Sequence, residues 1–130
     1  MMTLKTTLAA IALVFGLAMP TSAEEQDGSV YLLANLQVDD LDTYLAEYGF
    51  PVTPMLLEVG AEILVATPQV QTLEGDYTSN WSVVVRFPSS EAAEAWYTSP
   101  EYQELIPVRQ DLTDTEASTL VIAPHFVMPN

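Results

Sequence analysis

The sequence predicts a single α+β domain in which strands and helical stretches alternate in the order β-α-β-β-α-β. Four short stretches are rich in β-branched and aromatic residues, as strands are. After the first and the third of these, apolar residues recur at the three- to four-residue spacing of an amphipathic helix. A chain of 130 residues has room for one such domain and no more.

The strands are predicted from the alternation of apolar side chains. They cover residues 30–38, 61–67, 81–87 and 119–123, and a continuation of the second strand at 70–73 stays open. The first strand places Val30 and Leu32 on one side and Tyr31 and Asn35 on the other, which is the more polar side.

The first helical stretch opens after Asp39 and Asp40, either of which can accept hydrogen bonds from the free N–H groups of the first turn. The positions expected to face inward are Leu41, Tyr44, Leu45, Tyr48, Met55, Leu56 and Val59. Pro51 and Pro54 disturb the pattern, because proline has no N–H to donate. We therefore expect a bent or two-piece helix that ends before Gly60.

The second helical stretch begins near Ser89 and is divided at Ser99. Ser99 followed by Pro100 is a typical helix start, with a capping hydroxyl and a proline in the first turn. The residues expected to face inward are Ala92, Ala95 and Trp96 before the division and Tyr102, Leu105 and Ile106 after it. Pro107 is expected to end the second piece.

The order of elements also predicts how the strands are arranged. Two right-handed crossovers that interleave give the antiparallel order 4-1-3-2 of a ferredoxin-like split βαβ sandwich. Both helical stretches then cover one face of the sheet. The other face carries Leu33, Leu64 and Val84, which would form an exposed apolar patch without a cover. The predicted cover is a second copy of the chain, so we expect a homodimer.

Residues 1–23 have the features of a secretory signal peptide. Lys5 supplies a positive charge, residues 8–19 form an apolar run, and small residues follow at 21–23. The run is shorter than the roughly 20 residues that a membrane span requires. Cleavage after Ala23 would give an exported protein, periplasmic or secreted, that begins at Glu24. Its expected parts are a flexible start at 24–29, the domain at 30–124 and a tail at 125–130.

The composition excludes several classes of partner and chemistry. The chain has 18 acidic residues against 3 Lys and Arg. Such a surface repels phosphate backbones and anionic lipid head groups, so nucleic acid and the membrane are not expected partners after cleavage of the leader. The absence of cysteine excludes disulfides, thiol nucleophiles and iron–sulfur clusters. No cofactor is predicted.

No metal site is predicted either. Asp39, Asp40 and Asp42 lie close together, but the stretch lacks the central glycine and terminal glutamate of a calcium-binding loop. Helix capping accounts for these aspartates. The only histidine, His125, lies in the tail without a second zinc ligand near it in the sequence.

Several segments of the chain resemble a known family. They are GAEILVA at 60–66, LEGDY at 73–77, VVVRFPSSEAAEAWYTSPEYQ at 83–103 and PVR at 107–109. They are similar to the domain-of-unknown-function 1330 family, within the dimeric α+β barrel superfamily. The resemblance implies a homodimer whose two sheets face each other around a cavity, and it implies no particular activity. The chain departs from the family at Trp81 and Arg86, where relatives often have an arginine and an acid.

Five residues are candidates for binding a ligand in the dimer cavity. Arg86 lies on the more polar side of the third strand, with Asn35 and Glu62 at matching positions of the neighbouring strands. Arg86 is expected either to pair with Glu62 or to bind a ligand carboxylate, because an unpaired buried charge is strongly unfavourable. Tyr102 and Arg109 share one face of the last helix if that helix runs through both.

Two classes of function stay open. The first is a non-catalytic protein that binds a small aromatic or carboxylated molecule in the dimer cavity. The second is a cofactor-free enzyme, similar to the monooxygenases and isomerases among related barrels, by analogy of fold. Catalysis would depend on Tyr, Glu or Arg, because the chain has no cysteine and its histidine lies in the tail. This scarcity of reactive groups favours the binding protein.

Overall fold

The computed structural model describes residues 28–130, so the predicted signal peptide lies outside the described residues. Its strands are β1 (Val30–Leu36), β2 (Glu62–Thr67), β3 (Trp81–Phe87) and β4 (Thr119–Pro124). They form one antiparallel sheet in the order β2-β3-β1-β4. This is the predicted order read from the other edge, and the ferredoxin-like fold is confirmed. Residues 68–80 connect β2 to β3 without the additional strand considered at 70–73.

The first helix, α1, has a widened turn in its middle. It consists of an α-helical turn at Leu41–Tyr44, a π-helical stretch at Leu45–Gly49 and an α-helix at Phe50–Glu58. In the wide turn the N–H of Phe50 bonds to the carbonyl of Leu45. Pro51 follows directly, and a wider turn leaves its ring more room beside the preceding carbonyls. The predicted irregularity is therefore a π turn in a continuous helix. Gly60, just past its end, has a φ of 82° that glycine adopts readily.

Two consecutive helices, α2 (Ser90–Thr98) and α3 (Pro100–Asp111), connect β3 to β4. Each begins after a serine whose hydroxyl accepts a hydrogen bond from a first-turn N–H. The distance is 3.0 Å at Ser89 and 3.2 Å at Ser99. Both helix starts agree with the sequence pattern.

Two details of these helices correct the expectations from the sequence. Helix α3 does not end at Pro107 but continues to Asp111. Pro107 lies on the exposed side, where the carbonyl that loses its hydrogen bond stays open to water. Ala95 is exposed, and Ala93 is buried in its place, one turn before Trp96. The inward stripe thus follows three-residue spacing at this point.

The core lies between the sheet and the helices. Val85 and Phe87 of β3 are completely buried, at 0% exposure. Trp96 of α2 packs on Tyr102 of α3, with ring centroids 4.1 Å apart. On β1 every second residue is buried against the helices: Val30, Leu32, Ala34 and Leu36. Within residues 28–130, no helix is both long enough and apolar enough to span a bilayer.

The sheet face away from the helices, here called the open face, carries an apolar row. It consists of Val65, Val84, Leu33 and Val121, which lie side by side across all the strands. Val65 takes the place expected for Leu64, because a β-bulge between Ile63 and Val65 shifts the register of β2. The two outer members of the row, on β2 and β4, are exposed.

Candidate functional site

A cavity of about 300 Å³ lies between α1 and the helix-covered face of the sheet. We call it the helix–sheet cavity. Its walls are mainly apolar and aromatic, and include Tyr44, Tyr48, Val52, Leu56, Trp81 and Val85. Phe50 of α1, which is 67% exposed, and Ile63 and Ala66 of β2 line its accessible side. The cavity therefore opens between α1 and the β2 edge of the sheet.

An aromatic wall forms one side of this cavity. Tyr44 and Tyr48 are buried one turn apart on α1, with ring centroids 5.2 Å apart. The ring of Trp81 meets Tyr44 edge-on at 6.4 Å. Tyr48 and Gly49 belong to the π turn, and both line the cavity. The widened turn thus forms part of the wall, as π turns frequently do at functional sites.

A pair of phenols gives the cavity a polar corner. The hydroxyl of Tyr48 lies 2.8 Å from that of Tyr102, which is completely buried. The pKa values of Tyr44, Tyr48 and Tyr102 are all raised, and burial is the main cause in each case. Since all three pKa values lie above the ordinary 10, these phenols are neutral at pH 7. Neutral phenols can donate hydrogen bonds to a ligand.

Arg109 of α3 also lines the cavity, next to the phenols. Its charge and its hydrogen bonding act on the Tyr102 phenol and lower the pKa of that group, against the larger effect of burial. Its Nε is buried and has no hydrogen-bond partner within the described part of the chain. The only ion pair among residues 28–130 is that of Arg86 with Glu62, so Arg109 has no carboxylate partner there.

The structure brings together two of the five residues predicted for the site. Tyr102 and Arg109 lie on the same side of α3 because the helix continues past Pro107. Arg109 lines the helix–sheet cavity, and the completely buried Tyr102 adjoins it through its hydrogen bond to Tyr48, a lining residue. This cavity lies on the opposite face of the sheet from the expected dimer cavity. Neither Tyr48 nor Trp81 was predicted to be a site residue, although the spacing of Tyr44 and Tyr48 identified one buried helix face.

The other three predicted residues lie on the open face. Arg86 forms the expected pair with Glu62, with Nε and Oε2 3.7 Å apart, and also donates to Ser29 at 3.3 Å. Asn35 was expected to be a cross-strand neighbour of Arg86, and this expectation is wrong. It lies opposite Ser82, and Tyr31 occupies the position opposite Arg86.

Asn35 instead takes part in a small polar group at one end of the open face. Its side-chain oxygen accepts a hydrogen bond of 2.6 Å from Tyr77, whose hydroxyl also contacts Ser82. At the other end, the hydroxyl of Tyr31 lies 2.9 Å from Nδ1 of His125. The tail histidine is therefore packed on the sheet, which its position in the sequence did not indicate. No group of three His, Asp or Glu side chains within residues 28–130 is arranged to hold a metal ion.

The sheet order, the helix layer and the apolar cavity beneath α1 define a ferredoxin-like α+β domain with a cavity of small-molecule size. The chain belongs to DUF1330, a family of domains of unknown function, which it matches over residues 29–123. The resemblance read from the sequence is thereby confirmed. No functionally curated protein was found to match the chain.

Solved structures with this fold are similar to the chain at low sequence identity. A protein of unknown function from Rhodopseudomonas palustris has 18% identity and a TM-score of 0.62, over 82% of this chain and 89% of that chain. A protein of the ethyl tert-butyl ether (EthD) family from Bacillus halodurans has 16% identity and a TM-score of 0.56, over 75% and 99%. A candidate antibiotic biosynthesis monooxygenase from Caulobacter crescentus has 13% identity and a TM-score of 0.50, over 82% and 97%. Identities this low indicate a shared fold alone.

Proposed function

We propose that this protein binds a small aromatic or carboxylated molecule in the helix–sheet cavity of each protomer of a homodimer. The observation that carries the proposal is the cavity itself, with a volume of about 300 Å³, aromatic walls and a polar corner. Small-molecule sites typically combine an apolar lining with a few polar groups that orient the ligand. The proposal puts the ligand site within the protomer, whereas the sequence led us to expect it between the two sheets of a dimer.

Ligand binding is expected to change the tryptophan fluorescence, because both tryptophans of the chain, Trp81 and Trp96, line the cavity. A panel of small aromatic acids and alcohols is titrated, and ligands that bind should also raise the Tm. Ala66→Phe, at the accessible side, should weaken binding at least about tenfold, a change of about 1.4 kcal/mol. Ala95→Phe is the matched control, because Ala95 is exposed and outside the cavity. Equal loss in both variants, or no binding by the wild type, would contradict the proposal.

Binding is proposed in preference to catalysis because of the groups that line the cavity. They include phenols, Thr53 and Arg109 but no carboxylate or imidazole from the described residues. A general base would have to be a tyrosinate, and burial opposes its formation by raising the pKa of Tyr44 and Tyr48. The alternative remains a cofactor-free enzyme, with monooxygenase- or isomerase-like chemistry, in the same cavity. It rests on analogy with the fold of the candidate monooxygenase and not on a residue of this chain.

The homodimer is proposed from the open face. Its apolar row crosses the whole sheet, and exposed apolar patches of this kind commonly mark interfaces. Facing sheets of two copies would remove both rows from water. The subunits are acidic, so we expect the dimer at moderate ionic strength, where roughly 0.15 M salt screens charges beyond about 8 Å.

Export is proposed from the leader at residues 1–23. Intact-mass analysis of the protein recovered from the periplasm or the medium is expected to show Glu24 as the first residue. A mass that includes Met1 would contradict cleavage.

A further inference from the structure

We infer that the helix–sheet cavity selects an organic anion, namely a compact, mostly aromatic acid whose negatively charged oxygens are bound by Arg109. The inference rests on the proposed function and names the class of ligand. Three observations about the charges and hydrogen bonds of the polar corner lead to it.

The first observation is that Arg109 has no acidic partner in a chain rich in acids. Residues 28–130 contain one ion pair, and it belongs to the other arginine of that range, Arg86. A partly buried guanidinium without a counter-charge is strongly unfavourable, because the protein surroundings replace water only poorly. A protein that retains such a charge beside a cavity is suited to receive the counter-charge from a ligand.

The second observation is that the groups around Arg109 do not neutralise it. Its neighbours in the corner are phenols, and Arg109 lowers the pKa of Tyr102 by charge and hydrogen bonding. Burial nevertheless keeps that pKa, and the pKa of Tyr48, above the ordinary value. The phenols therefore remain uncharged at neutral pH, and the corner carries the full positive charge of the guanidinium.

The third observation is a surplus of hydrogen-bond donors. A guanidinium has hydrogen-bond donors and no acceptor, and the Nε–H of Arg109 is buried without an acceptor among the described residues. If the Tyr102 hydroxyl donates to that of Tyr48 across 2.8 Å, the hydrogen of Tyr102 is used within the buried pair and the hydrogen of Tyr48 is not. The hydroxyl hydrogen of Tyr48 and the buried Nε–H of Arg109 then remain without acceptors. A carboxylate, sulfonate or phenolate supplies acceptor oxygens for both.

The remaining walls determine the rest of the ligand. Tyr44 and Trp81 offer aromatic surface beside the corner, and Val52, Leu56 and Val85 offer aliphatic surface. An aromatic ring system attached to one anionic group matches this division into an apolar chamber and a cationic corner. A second charge on the ligand would have to be desolvated against apolar walls, which opposes binding.

The test uses two probes with the same naphthalene ring, of which one carries an anionic and one a neutral substituent. Naphthalene-2-carboxylate and naphthalene-2-methanol are titrated into the full mature protein at pH 7. The wild type is expected to bind the carboxylate at least about tenfold more tightly, as measured by tryptophan fluorescence and calorimetry. Arg109→Met should lose this preference and keep its affinity for the alcohol. Arg86→Met is the matched control and should keep the preference, because its ion pair lies on the open face.

Stability without ligand gives a second, independent measurement. Since Arg109 has no acidic partner, its replacement by methionine should leave the Tm of the ligand-free protein unchanged or raise it. Arg86→Met, which removes a paired guanidinium, should leave it unchanged or lower it slightly. If Arg109→Met fails to fold, Arg109→Gln takes its place, because it removes the charge and retains hydrogen bonding. The comparison of the two probes on the wild type still tests whether the cavity prefers the anion.

The possible results separate this inference from the proposed function. Equal affinity of the wild type for the two probes would overturn charge selection while small-molecule binding stands. Binding of neither probe, nor of any member of the wider panel, would overturn both. A preference for the carboxylate that survives in Arg109→Met would overturn the role of Arg109.

Discussion

Replacing Trp96 by alanine is expected to lower the free energy of unfolding by about 3–5 kcal/mol. The side chain is 2% exposed and lies between Phe87 and Tyr102, with ring centroids 5.5 and 4.1 Å away. Its removal leaves a void where the helix layer meets the sheet, and the stacked rings lose their partner. Because small domains are stable by only about 5–15 kcal/mol, this is a large part of the total.

The measurement is urea unfolding followed by circular dichroism. Tyr97→Ala is the matched control, because Tyr97 also contacts Trp96, at 5.9 Å, but is 44% exposed. We expect its cost to be under about 1.5 kcal/mol, since nearly half of that side chain is already exposed to water in the folded protein and contributes less apolar burial. Comparable losses in the two variants would show that burial of Trp96 does not carry the stability of this layer.

Replacing Leu33 by glutamate is expected to convert the proposed homodimer into a monomer. Leu33 occupies the middle of the apolar row, between Val84 and Val121. Packing of two open faces would bury the new carboxylate and its copy from the partner subunit near each other without a counter-charge. Both the desolvation and the like-charge repulsion oppose such an interface, by several kcal/mol.

Light scattering after size-exclusion chromatography, at moderate salt, measures the effect. Leu57→Glu is the matched control, because Leu57 of α1 is 58% exposed and does not line the cavity. It adds the same charge away from the open face and should remain dimeric. A wild type that is monomeric at micromolar concentration would contradict the dimer, and a dimeric Leu33→Glu variant would place the interface elsewhere.

The strand order and the faces of the strands were predictable from the sequence, because both follow from short-range patterns. Alternation fixes which side of β1 holds Val30 and which holds Tyr31. Right-handed crossovers then leave one antiparallel arrangement for the order of elements. Helix starts at Ser89 and Ser99 were equally predictable, since a capping hydroxyl acts on the turn that follows it.

The errors arose where tertiary contacts override local rules. The bulge before Val65 moves one residue out of register, and alternation alone cannot reveal it. Pro107 is tolerated inside α3 because it lies on the exposed side, which depends on how the helix packs. Asn35 was expected beside Arg86 from matching parity, which determines the register only to a multiple of two residues, and the true partner of Arg86, Tyr31, is four residues from Asn35.

The candidate site was predictable only in part. Helical spacing put Tyr102 and Arg109 together, but it does not say which cavity a helix face adjoins. The phenol pair joins Tyr48 to a residue 54 positions away, and no local pattern encodes that contact. A cavity beneath α1 is a property of how tightly two layers pack, so it became visible only with the structure.

The π turn of α1 also affects the rotational phase of the helix. The buried residues of α1 are spaced by four: Tyr44, Tyr48, Val52 and Leu56. In a regular helix of 3.6 residues per turn, each such step advances about 40° around the axis, so this row would drift by about 120° over its length. The π turn at Leu45–Gly49 contains one more residue than a regular turn, so it reduces this rotation and keeps Tyr44 over the cavity. Deleting one residue there would rotate the preceding turn and move an aromatic ring out of the site while leaving the sheet intact.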